Sequence, residues 1–206
     1  MSTTYQTTET GRARAVGAGG GATESMGGIA VVVLAILALV GVIPRVLSPV
    51  AGIVFGVAFI VEGAANAARQ ATTTGVEMEF GGGVTVELVA GLSAIVLGIL
   101  ALIGVHIPIL MSALVIVGGA GLVLSAGLVN RSSMPGAGMA QASVTSSAAA
   151  AHLLVGIAAI VLGILALTNA GASVALFTVG LLVLGGSLML SGTAMSTAML
   201  RLFQRS

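Results

Sequence analysis

Ala-Ile-Val-Leu-Gly-Ile-Leu-Ala-Leu stands at residues 94–102 and returns unchanged at 159–167, while 31–39 reads Val-Val-Val-Leu-Ala-Ile-Leu-Ala-Leu. Three copies of one uncharged apolar run, each followed by a break and a second apolar run, read as three helical hairpins in tandem. Runs of roughly 20 residues at 1.5 Å per residue match a hydrocarbon core of ~30 Å. The sequence therefore predicts an all-α fold, a six-helix transmembrane bundle built from three hairpins.

Composition points the same way. Mean hydropathy is +1.20 and only 6% of residues are charged, against about 25% in a soluble domain. The chain has no Cys, which removes disulfides and thiol nucleophiles. It has neither Lys nor Asp, so all its fixed charge lies on seven Arg and six Glu. A net charge of +1 with no basic stripe gives nucleic acid nothing to hold. The expected partner is the lipid bilayer, with a second copy or another membrane protein also compatible.

Outward from the repeats, residues 1–26 read as a disordered cytoplasmic tail, with Thr, Gly and Ala and nothing periodic to bury. Hairpin repeat 1 covers 27–69, a polar linker 70–85, repeat 2 86–130, a flexible linker 131–147, repeat 3 148–200, and a short tail 201–206. Within these, the second span is read as 47–66, and short alternating stretches at 76–80 and 84–88 suggest a small surface hairpin. Two arginines precede the first run as in a signal peptide, but no convincing small-residue cleavage site follows it. Six of the seven arginines, Arg12, Arg14, Arg69, Arg131, Arg201 and Arg205, fall on the side shared by tails and linkers; only Arg45 falls in a turn. The positive-inside rule then puts both termini in the cytoplasm, in a cell (inner or plasma) membrane.

Small residues recur at matching places in the first helix of each unit: Gly28 and Ala35, Gly91 and Gly98, Gly156 and Gly163. Each pair is seven apart and so shares one helix face, and Gly52 and Gly56 add a GxxxG in the second span. Apolar helices in lipid associate through close van der Waals approach, which small residues permit, so these eight are expected to be packing positions. Leu97, between two of them, is read as facing lipid.

Chemistry-bearing residues are scarce. Glu62 is the one charge well inside a span, with Asn66 one turn on and Arg69 two turns on. It reads as an interfacial carboxylate that snorkels or pairs, with a proton or cation site as the functional alternative. Counting along the repeats puts Ser125 and Leu190 at its equivalent positions, so no threefold ring of carboxylates is expected. His106 in a turn and His152 at the opposite end of a span are too far apart to share a metal. Glu87 reads as an anionic helix-start residue. Ser-rich stretches near Ser132 and Ser146 have no paired base, and the Gly17–Gly21 run lacks the Lys of a phosphate loop. No catalytic residue, metal ligand or cofactor site is assigned, and the chain is expected not to be an enzyme.

The Gly-Ile-Ala-Ala-Ile-Val-Leu-Gly-Ile-Leu-Ala-Leu helix at 156–167, the Val42-Ile43-Pro44 turn and the Gly-rich second helix at 122–127 together resemble the HdeD-type short-repeat membrane proteins over about 27–200. The resemblance implies a small prokaryotic inner-membrane protein, some relatives being linked to acid resistance, with no catalytic residues to carry over. The third turn departs from the pattern by lacking Pro, and the long amino tail and low aromatic content are also unusual for it. The reading is a structural or stress-associated multi-pass protein; the alternative is a small transporter or channel with Glu62 as its proton or cation site.

Overall fold

The computed structural model describes residues 25–74, 86–131 and 139–203, with side chains described at 25–65, 86–127 and 150–191. Those residues are helical apart from short turns. The helices are α1 (Ser25–Leu39), α2 (Pro44–Thr74), α3 (Val86–Leu102), α4 (Ile107–Arg131), α5 (Met139–Thr168) and α6 (Ser173–Phe203). Four stretches, Pro44–Ala65, Ile107–Gly127, Ala150–Thr168 and Ser173–Ser191, are long and apolar enough to cross a membrane; α1 and α3 are apolar but shorter.

Helix is the form that lets an apolar segment satisfy every backbone N–H and C=O internally, which outweighs the modest helix propensity of the many Val and Gly residues. The first two turns are built alike. Gly41 and Gly104 take φ values of +93° and +94°. The amide after each bonds back five residues, Val42 N to Leu37 O at 3.0 Å and Val105 N to Leu100 O at 3.2 Å. This is the glycine-terminated Schellman end of a helix. The next residue, Ile43 or His106, also has positive φ, and its carbonyl accepts the first bonds of the following helix. The third turn differs: Thr168 Oγ1 donates to carbonyls of its own last turn, and Asn169 N bonds Leu165 O at 2.9 Å.

Packing alternates along the chain. Helices α2, α4 and α6 touch one another, α3 lies against α2 and α4, and α5 lies against α4 and α6. Helix α1 meets α6 at Gly28 and α2 at Gly27, so the first and last helices are neighbours. The odd-numbered helices bury one narrow stripe: Gly28, Val31, Ala35 and Ala38 on α1; Gly91, Ala94, Gly98 and Ala101 on α3; Gly156, Ala159, Gly163 and Ala166 on α5. The 3-4-3 spacing keeps each stripe on one face. The opposite face carries exposed Val33 and Ile36, Val96 and Ile99, Val161 and Ile164. Small residues point in and large apolar ones out, the reverse of a helix folded by water.

The glycine contacts are reciprocal. A Cβ on Gly91 would come 2.7 Å from Gly56 O, and one on Gly56 would come 2.6 Å from Gly91 O. Gly156 and Gly119 repeat this at 2.6 Å each way, and a Cβ on Gly28 would come 2.8 Å from Gly185 O. Gly98 and Gly163 face Ile53 and Ile116, and Gly52 faces Leu114.

Several boundaries differ from the sequence reading. Helix α2 runs to Thr74 rather than ending near 66, and α5 begins at Met139, inside the stretch read as the 131–147 linker. Ala, the strongest helix former, continues a helix readily once a packed span has nucleated it, and carries the Thr and Ser between with it. Val86 to Leu88 are helical rather than extended; the rest of the suggested surface hairpin, and the tail before Ser25, lie outside the described residues. Leu97 packs against the core rather than facing outward. Glu62 also changes its counterpart. Gly56, Gly119 and Gly185 are the matching contact positions, and because the third turn is one residue longer, the position matching Glu62 and Ser125 is Ser191 rather than Leu190.

One chemical change at two glycines tests this packing with opposite signs. Gly156→Ala drives a methyl against a backbone carbonyl and should destabilise the detergent-solubilised protein by about 1–3 kcal/mol. Gly186→Ala meets nothing within 4 Å and should hold or raise the melting temperature, since Ala is the better helix former. Equal melting temperatures for the two variants would refute the assigned contacts.

Candidate functional site

The inner faces of α2, α4 and α6 are where any path or site along the bundle would have to lie. They are filled. A Cβ on Gly118 of α4 would come 2.9 Å from Phe55 Cε1 of α2 and 3.0 Å from Leu184 Cδ1 of α6. These three residues occupy matching positions, one large, one absent and one medium, and their side chains meet across the centre. Phe59 stacks beside Phe55 with ring centroids 5.4 Å apart. Leu114, Leu122, Leu181 and Leu188 are also fully enclosed.

Hydroxyls mark the end of the bundle nearer the turns. Thr178 Oγ1 donates to Val174 O at 2.6 Å and lies 3.5 Å from Ser48 Oγ. With the threonine proton committed to its own helix, Ser48 is the donor of that link between α2 and α6. Ser112 Oγ donates to Pro108 O there, and midway along α3 Ser93 Oγ donates to Val89 O. The hydroxyl protons of Thr178, Ser112 and Ser93 are each held by a carbonyl one turn back and that of Ser48 by Thr178, which leaves these oxygens as weak donors rather than activated nucleophiles.

At the opposite, linker end the buried surface turns polar. Gly121 of α4 meets Ala90 of α3 and Phe59 of α2, a Cβ there falling 2.8 Å from each. One helical turn farther toward the linkers come Ser125, Glu87 and Glu62, each only 7% exposed. Ser125 Oγ donates to Leu122 O at 3.0 Å. The register that sets Gly91 against Gly56 and Ile60 brings Glu87 level with Glu62. His152 stands before Gly156 as Glu87 stands before Gly91, level with Ser125. His106 is exposed in the second turn, whereas His152 lies about 24 Å along α5 from its turn end.

The structure thus places Glu62 within the bundle rather than on a lipid-facing edge, and it adds Glu87 at the same level, which linear spacing did not reveal. The usable signal was present: Glu87 precedes Gly91 by one turn, so a glycine known to be a contact carries the glutamate into the same seam. Side chains of Asn66 and Arg69 lie outside the described residues. Among the described residues no group of three or more His, Cys, Asp or Glu side chains is placed to hold a metal. Comparison with protein families, with curated proteins and with solved structures finds nothing that matches this chain.

Two substitutions probe this interior. Phe55→Ala removes the side chain that fills the centre and should cost about 3–5 kcal/mol in a denaturation series, far more than Val57→Ala on the exposed face. Ser187 Oγ is enclosed without a hydrogen-bond partner, where the matching positions are Ala58 and Gly121. Ser187→Ala should therefore raise stability by about 1 kcal/mol by relieving an unmet buried donor.

Proposed function

We propose that this chain is a six-span cell-membrane protein of the HdeD-like short-repeat type, three tandem hairpins about a pseudo-threefold axis, with a structural or stress-associated rather than enzymatic role. The repeated first-helix sequence and the recurrence of one glycine contact at Gly28, Gly91 and Gly156 support the threefold arrangement. The arginine distribution supports cytoplasmic termini and linkers. The link to acid stress rests on the family resemblance alone.

The observation that carries the structural reading is the meeting of Phe55, Gly118 and Leu184 across the axis. A conducting path needs polar groups or water at that level, and a transporter site needs broken helices near the midplane. Here a stacked phenylalanine pair and leucines occupy it. The second reading, a transporter using Glu62 as proton or cation carrier, draws on the burial of Glu62 and Glu87 at one level; the apolar packing above them argues against passage.

Reconstituted vesicles separate the two. Wild type should support no flux driven by a pH gradient, and Glu62→Gln should fold and behave alike. A flux in wild type that disappears in a folded Glu62→Gln variant would establish the transporter instead. Topology is tested by reporter fusions: those at Arg69 and Arg131 should report the cytoplasm, and those at Arg45, Pro108 and Asn169 the other side. A non-cytoplasmic signal at Arg131, with Arg69 unchanged, would overturn the six-span arrangement.

A further inference from the structure

We draw no further inference here: the strongest candidate, the polar layer of Glu62, Glu87 and Ser125 at the linker end of the bundle, belongs to the site already described, and no second observation among the described residues points to a ligand there.

Discussion

Close approach of one backbone to another at glycine is the interaction on which the rest of this structure depends. In lipid no hydrophobic force presses one apolar helix on another, so association draws on dispersion and on weak contacts between Cα–H groups and carbonyls. Dispersion falls steeply with a gap of even half an ångström. A methyl at Gly91 or Gly156 would open such a gap, because it would fall 2.7 Å or 2.6 Å from a facing carbonyl oxygen. The odd-numbered helices therefore carry Gly and Ala on the buried stripe, with Val31 of α1 the exception.

That choice dictates where the bulk goes. Helices seated deep in the grooves between their neighbours leave the inner faces of α2, α4 and α6 to supply the remaining volume, and they do so unevenly. Phe55 projects where Gly118 recedes and Leu184 fills the remainder, so three matching positions hold three different volumes that sum to a packed layer. An exact threefold repeat could not do this, since three phenylalanines would collide and three glycines would leave a void. The drift of the second helices away from identity, while 94–102 and 159–167 stay identical, follows from their places: a seam between two backbones admits few side chains, but an interior layer fixes only total volume.

Much of this was legible in sequence. The 3.5-type recurrence of small residues gave the seam, and positive-φ glycines could be anticipated at the Val-Gly-Val and Ile-Gly-Val breaks after the first two runs. Helix ends were less legible, because Ala, Thr and Gln beyond a span read equally as linker or as continued helix, and packing at the other end decides. The role of Glu87 was hidden for another reason. It lies on a different helix from Glu62, and their shared level depends on the antiparallel register of α2 and α3, which the contacts of Gly91 with Gly56 and of Gly98 with Ile53 fix. The one-residue insertion in the third turn likewise shifts the counterpart of Glu62 from Leu190 to Ser191, a change invisible until Gly185 is matched to Gly56 by its contact.

The distribution of polar groups then limits what the bundle can do. Hydroxyls at Ser93, Ser112, Ser125 and Thr178 each donate to a carbonyl three or four residues back, which keeps them compatible with apolar surroundings but occupies the proton that chemistry would need. Among the described residues, the two buried carboxylates, Glu62 and Glu87, sit at one end, beneath the layer of Leu122, Phe59 and Leu188. The layer above Glu62 is, among those same described residues, apolar apart from the Ser187 hydroxyl, and beyond it the centre is filled by Phe55 and Leu184. It is the filled centre at Phe55, more than the scarcity of charge, that favours the proposed structural reading over passage across the membrane.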